Sequence, residues 1–388
     1  MKNGGGYSRT WYAALAKEGK NVAVRSKSPD FVILFSVLAL LAIGVVMVYS
    51  SSAVSAYVNF SDGYYFLKRQ LIWAALGIVA MLFTMSVDYH VWRRFAIPIL
   101  VVTLALLVLV LVPGLGKVVN GARRWLGFGS LYLQPSEIAK LSMVLFCSES
   151  LARSQDKITS FVKGLLPQLL ILLVVFGLIL KEPDLGTALA IGGTVFVLLF
   201  TAGAKIAHLA SLGIAGVAGV VAAIIIEPYR LRRLLAFSDP WADPLDSGYH
   251  IIQSLYAIGS GGLFGVGLGR SREKFLYLPE PHTDFIFAII GEELGLIGTV
   301  TIIVLFFLFA WRGLRVAIAA PDIYGSILAA GLTSMIVVQA LMNIAVVTAS
   351  MPVTGIPLPF LSFGGSALIF TLAGVGILLN ISRYVSLK

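Results

Sequence analysis

The sequence predicts an all-α, polytopic integral membrane protein with ten transmembrane helices and one large extracytoplasmic loop between the seventh and the eighth. Three observations carry this reading. The 388-residue chain is 58% hydrophobic and 12% charged, and its mean hydropathy of +0.93 lies outside the range of a soluble globular domain. Apolar runs of about 18 residues or more, the length needed to cross a hydrocarbon core, recur along the whole chain. The basic residues behind the net charge of +10 are dispersed between these runs rather than gathered on one face, which argues against nucleic acid and for an anionic lipid or lipid-linked partner. The single Cys147 permits no internal disulfide, and His90, His208, His250 and His282 are too scattered to form a metal-ligand cluster.

Residues 1–30 form a basic tail carrying Lys2, Arg9, Lys17, Lys20, Arg25 and Lys27. The apolar run that follows is too long for a removable signal peptide and lacks its small-residue cleavage site, so it reads as the first span of a membrane domain covering 31–385. Polar junctions divide that domain into spans at 31–53, 69–86, 95–112, 134–152, 164–181, 185–202, 206–226, 285–310, 323–349 and 361–382. An even number of spans puts both termini on one side. The short connections and tail on that side carry Arg93, Arg94, Arg153, Lys157, Lys163, Lys205, Arg312, Arg315, Arg383 and Lys388. Together with the six of the N-terminal tail they hold 16 of the 29 basic residues, which places both termini in the cytoplasm.

The connections 54–68, 113–133 and 227–284 then face outward. Long loops translocate whatever their charge, so Arg230, Arg232, Arg233, Arg270, Arg272 and Lys274 do not contradict this orientation. Loop 227–284 contains YHIIQSLYAIG and FLYLP, too apolar and aromatic for a solvated linker, and a loop of that length in a compact protein is usually functional or disordered. It has no counterpart in the first half of the chain, which weakens a transporter built from inverted repeats.

Four charged or glycine-rich stretches invite chemistry. In LQPSEIAKL (133–141), Pro135 suits a first helical turn, and Glu137 and Lys140 lie one turn apart on one face. They are either a stabilising pair at a capped helix start or ionisable groups facing a cavity within a span. Upstream, Arg123 and Arg124 beside Trp125 either hold an anionic headgroup or anchor their loop at the interface. KEPDLG (181–186) reads as a turn opening a helix, with Glu182 and Asp184 flanking Pro183. GSGGLFGVGLGRSREK (259–274) fits no nucleotide-binding pattern; its glycines permit close packing on the membrane domain, leaving Arg270, Arg272 and Lys274 within reach of a pyrophosphate or simply exposed. In PEPHTDFIFAIIGEELG (279–295), Thr283 or Asp284 can cap the next span. Yet Glu280, His282 and Asp284 crowd its entrance, and Glu292 and Glu293 lie two turns inside, where carboxylates are costly unless they face a polar cavity.

At these residues the chain resembles the SEDS family (shape, elongation, division and sporulation), which includes FtsW, RodA and SpoVE. The resemblance rests on RRWL, QPSEIAKL, EPDLGTA, DPWADPLDSGYHIIQSLYAIGSGGLFGVGLG, LPEPHTDFIFAIIGEELG and GIPLPFLSFGGSA, in that order, and covers about 31–385. The wording of 279–295 is closer to the division and sporulation members than to the elongation branch. Phe363 departs from the Tyr usual in LSFGG, which bears on one hydrogen bond near the last span.

What the resemblance implies is a ten-span peptidoglycan glycosyltransferase of the bacterial cytoplasmic membrane that polymerises lipid II at the outer face. The family's essential acid falls on Asp284, its conserved Glu and Lys on Glu137 and Lys140, and its Arg before Trp on Arg124. On that basis Asp284 is the expected general base, with Arg124, Glu137, Lys140, His282, Thr283, Arg270, Lys274 and Glu292 as expected substrate contacts. A divalent cation such as Mg2+ or Mn2+ is an optional aid to the leaving pyrophosphate, with no metal ligands assigned. The implied partners are a class B penicillin-binding protein supplying transpeptidase activity and other divisome proteins. A lipid II flippase and a non-catalytic divisome scaffold are the competing readings. The first needs polar residues continuing across the bilayer, and the second leaves the carboxylates inside the span unexplained.

Overall fold

The computed structural model describes residues 28–119, 121–128, 131–275 and 277–385, so the expected basic tail lies, but for its last three residues, outside the described residues. The chain is mostly helical. The first three helices are α1 (Phe31–Phe60), α2 (Tyr65–Ser86) and α3 (Tyr89–Leu111). Asp30 starts α1 as its cap: the carboxylate accepts from the backbone N–H groups of Val32 and Ile33 and pairs with Arg312 at 2.6 Å. Asp88 starts α3 in the same way through the N–H of His90. Spans read from apolar runs stop at charges, whereas the helices run through them. Thus α1 extends beyond the expected 53, and α3 begins at Tyr89 rather than 95, taking in Arg93 and Arg94.

An all-α expectation needs one correction. The connection 113–133 folds as a three-stranded antiparallel sheet of β1 (Gly116–Val119), β2 (Ala122–Phe128) and β3 (Leu131–Leu133), with Lys117 opposite Trp125 and Leu126 opposite both Gly116 and Leu133. Strands of three to seven residues are too short to show a clear period of two among the glycines and arginines around them.

After the sheet come α4 (Pro135–Arg153), α5 (Leu166–Lys181, led by one π-turn at Phe161–Leu165), α6 (Leu185–Thr201) and α7 (Ile206–Ile226). The stretch 227–284 is not a plain loop: it holds α8 (Pro228–Ser238) and α9 (Tyr249–Gly261). It leads into α10 (Ile286–Ala319), α11 (Ile323–Val347) and α12 (Ser366–Ser382). Among the described residues, seven helices are long and apolar enough to cross a membrane: α1, α2, α3, α5 with its π-turn, α7, α10 and α11. Helices α6 and α12 are apolar but shorter, and α4 carries Glu137, Lys140, Glu149 and Arg153. The span expected from 361 begins at Ser366, because LSFGG forms a turn ending at Gly365 (φ 46°).

Helix α11 lies at the centre, with 67% of its apolar window buried. Small residues let α12 approach α2 closely: Gly376 faces the Met81 carbonyl, and the Thr84 hydroxyl donates to the Ala373 carbonyl at 2.9 Å. The glycine-rich stretch packs on α10 in the same manner. Gly295 interrupts α10 with φ 67° and ψ −162°, and around that break backbone pairs form from Val266 to Glu292, Gly267 to Glu293 and Leu296 to Gly262 at 2.9–3.1 Å. A Cβ on Gly295 would lie 2.3 Å from the Gly265 nitrogen and 2.6 Å from the Leu263 oxygen, both backbone atoms. Gly295→Ala is therefore expected to destabilise by about 1–3 kcal/mol from backbone strain, read as a lower midpoint of thermal unfolding in detergent; an unchanged midpoint would show the break to be dispensable.

Candidate functional site

The segment 280–285 turns tightly before α10. Glu280 adopts a left-handed conformation (φ 51°), and its carbonyl accepts from the Thr283 and Phe285 N–H groups. The next residues are held by their carbonyls: His282 accepts from the Phe363 N–H at 2.9 Å, Thr283 from the Ser362 hydroxyl at 2.6 Å, and Asp284 from the Asn343 amide at 2.7 Å. Asn343 also donates to the Ile356 carbonyl at 2.8 Å. Three grips on consecutive peptide units fix the main chain of the turn, so the Asp284 side chain is positioned by backbone rather than by partners of its own.

Half-buried Asp284 faces a cavity of about 670 Å³ whose wall includes Arg124, Gln134, Glu137, Tyr229, Arg232, Arg233, His250 and Gly355. A Cβ on Gly355 would sit 3.6 Å from Asp284 Oδ2, so glycine there keeps room beside the carboxyl. Burial, reinforced by the negative charge of Glu280, pushes Asp284 up to about 7, with Arg124 and Arg233 opposing the shift. A carboxyl poised near neutrality can accept a proton and return it.

The other expected residues fall into two groups. Arg124, on β2, lines the same cavity and donates from Nε to the Glu182 carbonyl at 3.0 Å and from Nη2 to the Pro183 carbonyl. Glu137 also lines it, and its carboxylate pairs with Lys140 at 2.8 Å; Lys140 in turn donates to Gln339 at 2.5 Å, and Gln339 donates to the Pro357 carbonyl. Lys140 is thus a buried brace one layer behind the wall. Thr283 lines this cavity and a second, mostly apolar one of about 950 Å³ walled by Phe60, Tyr65, Phe66, Trp73 and Lys117. Trp125, Glu280, Phe363 and Gly364 are also common to both.

His282 faces the apolar cavity, packed on Phe66 at 4.3 Å, and burial holds its imidazole below the ordinary histidine range. Phe363 meets Phe66 edge-on at 5.1 Å, so the ring itself builds wall where a tyrosine would add a hydroxyl.

Three residues stand elsewhere. Arg270 is exposed and lines neither cavity. Glu292 is buried and accepts from the Ser271 hydroxyl at 2.5 Å and the Arg272 N–H at 2.7 Å, so it fastens the glycine-rich stretch instead of facing a polar cavity. Lys274 touches the apolar cavity, but its ammonium is paired with Glu293 at 2.8 Å beside Ser50. The carboxylates inside α10 are accommodated by these internal partners, a solution that charge density alone does not distinguish from a cavity. Asp184 caps α6 by accepting from the Thr187 N–H and hydroxyl, as a turn opening a helix requires. Among the described residues no three His, Cys, Asp or Glu side chains gather as metal ligands.

Arg232, Arg233, Tyr229 and His250 are cavity residues that the motifs did not single out. The alternation of arginine and leucine in PYRLRRLLAFS carried a signal, as did the polar i, i+4 pair Gln339 and Asn343 in an otherwise apolar helix.

The sequence profile of the family described as "Cell cycle protein", covering FtsW, RodA and SpoVE, matches residues 31–387. The chain is 52% identical over 363 residues to Stage V sporulation protein E of Bacillus subtilis (strain 168), covering 94% of this chain and 99% of that protein. It is 48% identical over 358 residues to the probable peptidoglycan glycosyltransferase FtsW of Trichlorobacter lovleyi, covering 92% and 94% of the two chains. Among solved structures it is similar to a chain from work on the structural coordination of polymerization and crosslinking by a peptidoglycan synthase complex (TM-score 0.75, 34% identity, 92% and 98% covered). It also resembles the rod shape determining protein RodA of Thermus thermophilus (TM-score 0.68, 31% identity, 93% and 98% covered).

Proposed function

This chain belongs to the FtsW, RodA and SpoVE family of cell cycle proteins, and we propose that it is a peptidoglycan glycosyltransferase polymerising lipid II during division or sporulation, with Asp284 as its general base. The observation that carries the reading is that Asp284, raised toward neutrality and presented by the braced turn, shares a cavity with Arg124, Arg232 and Arg233. Glycosyl transfer from a pyrophosphate-linked donor needs a base to take the proton of the attacking hydroxyl. The leaving pyrophosphate departs as a stable anion without a second acid to protonate it, so the paired carboxylates of ordinary glycosidases are unnecessary. Asp284 takes that proton as the hydroxyl oxygen bonds to the anomeric carbon and the bond from that carbon to the phosphate oxygen breaks. Arginines on the wall meet the negative charge that develops on the leaving group. Attack from the opposite face inverts the anomeric centre, giving a β-linked glycan from an α-linked donor.

In this reading residues 31–385 form one domain of ten spans in the bacterial cytoplasmic membrane, with both termini cytoplasmic. Helices α4, α6 and α12 complete the seven longer apolar ones, and 227–284 lies on the outer face. The partner is a class B penicillin-binding protein, joined by other divisome proteins. The test is glycan polymerisation by the purified protein with its cognate transpeptidase and lipid II. Absence of polymer, together with movement of lipid II across vesicles that depends on Asp284, would transfer the assignment to a flippase. The base must be ionised to act, so kcat/KM is expected to fall about tenfold per pH unit below about 7, the position of the Asp284 carboxyl. A pH profile flat from 5 to 8 would exclude this assignment of the base.

A further inference from the structure

Glu182 stands apart from the chemistry described above. It follows α5 in the turn before α6, it is fully buried, and both of its carboxyl oxygens lack a hydrogen-bond partner among the described residues. The polar groups around the turn are spent otherwise: Asp184 caps α6, and Arg230 of α8 donates to the carbonyls of Leu180 and Ala223. Among the described residues the cation that acts on it is Arg124. Two donors of that guanidinium go to the main-chain carbonyls of Glu182 and Pro183 rather than to the Glu182 carboxyl.

A buried ionised carboxylate without donors would be very costly, and beside an arginine it would draw the guanidinium into an ion pair. The observed arrangement is that of a neutral acid. Burial, with the like charge of Asp184 adding to it and Arg124 opposing it, raises Glu182 to about 9.

On the basis of the glycosyltransferase reading, we propose that neutral Glu182 is a positioning residue that leaves the charge of Arg124 free to receive the diphosphate of the lipid-linked substrate, and that its ionisation withdraws that charge. The argument is one of competition. Arg124 lines the Asp284 cavity, and its remaining donors are uncommitted among the described residues. A diphosphate and an ionised Glu182 contend for the same guanidinium, so each weakens the other's hold, and an anionic ligand at Arg124 drives Glu182 further toward its neutral form. The direction is fixed by the raised pKa: the carboxyl is neutral below about 9, and binding weakens as pH rises through that value.

The test is equilibrium binding of farnesyl pyrophosphate to the full-length protein in detergent at pH 7.5 and 9.5, with lipid II polymerisation kinetics alongside. Parent affinity is expected to weaken about threefold between the two pH values, because a carboxyl of pKa about 9 is about three-quarters ionised at pH 9.5 and an anionic ligand beside it shifts it by about one unit. In Glu182→Gln, which keeps the shape of the neutral acid and cannot ionise, this alkaline loss should shrink to less than about twofold, and the matching rise in KM should disappear while the pH dependence of kcat is kept. In Arg124→Gln binding should be weak at both pH values, and adding Glu182→Gln should change nothing further.

An alkaline loss common to parent and Glu182→Gln would overturn the proposal, as would one that survives in Arg124→Gln. The parent profile and Arg124→Gln decide the matter even if Glu182→Gln does not fold. Binding needs no turnover, so a protein that shows these pH effects yet makes no polymer would overturn the glycosyltransferase reading and leave the role of Glu182 standing.

Discussion

Asp284→Asn is expected to lower lipid II polymerisation by about 10²–10⁴-fold, the usual contribution of a general base, while leaving the affinity for lipid II nearly unchanged. Asparagine preserves the size of the side chain, and the turn that presents it is held through the carbonyls of His282, Thr283 and Asp284, which the substitution does not touch. The change therefore removes the proton acceptor without moving the frame. Glu280 faces the same cavity but also spans the wall to the apolar one, and Glu137 is tied to Lys140. Neither is placed as Asp284 is at the end of the braced turn. The measurement is initial polymerisation rate with the cognate transpeptidase at matched unfolding midpoints, with lipid II binding in parallel. Activity within twofold of the parent would end the assignment of Asp284 as base.

How much of this site was legible depends on what each residue does. Asp284 is prominent in the sequence because a run of acids at the mouth of an apolar segment is expensive and rare. Its cavity partners were less visible. Arg232 and Arg233 read only as basic residues of a long loop until α8 brings them opposite Asp284, and His250 enters through α9. Hydropathy located the seven long apolar helices of the described residues because a run of about 18 apolar residues needs little else. Their ends were less certain, because Asp30 and Asp88 start helices by capping where hydropathy registers only a charge.

Glu292 shows the limit most clearly. Its depth in an apolar run is equally compatible with a cavity and with an internal partner. Only the fold shows Ser271 and Arg272 closing over it. Sequence density of charge thus reports that burial must be compensated, and three-dimensional proximity reports by what.

The companion carboxylate gives the largest expected effect on stability. Lys274→Met should destabilise the protein by about 3–5 kcal/mol, because it strips the cation from a buried pair and leaves its acid in place. Glu293 is fully buried, and Lys274 reaches it at 2.8 Å. Ser50 of α1 donates to the same carboxylate at 2.6 Å, and the Ser271 N–H lies 3.4 Å away, too little to hold an unpaired anion. Replacing both partners, Lys274→Met with Glu293→Leu, should recover most of the loss, since a buried pair exchanged for apolar residues of similar volume is often neutral. Arg270→Ala, at an exposed position of the same stretch, should change stability by no more than about 0.5 kcal/mol.

Thermal unfolding of the three variants in one detergent separates charge from packing. If Lys274→Met costs no more than Arg270→Ala, the pair is not what fastens the glycine-rich stretch to α10. If the double variant is as unstable as the single one, the loss lies in packing of the lysine stem rather than in an abandoned charge. The predicted pattern has a consequence at the site. The pair joins α1, α10 and the stretch that leads into 279–284, so the first strongly destabilised contact should be the approach to the turn carrying Asp284. The double variant should then regain stability before it regains full polymerisation, because Lys274 also lines the apolar cavity beside that turn.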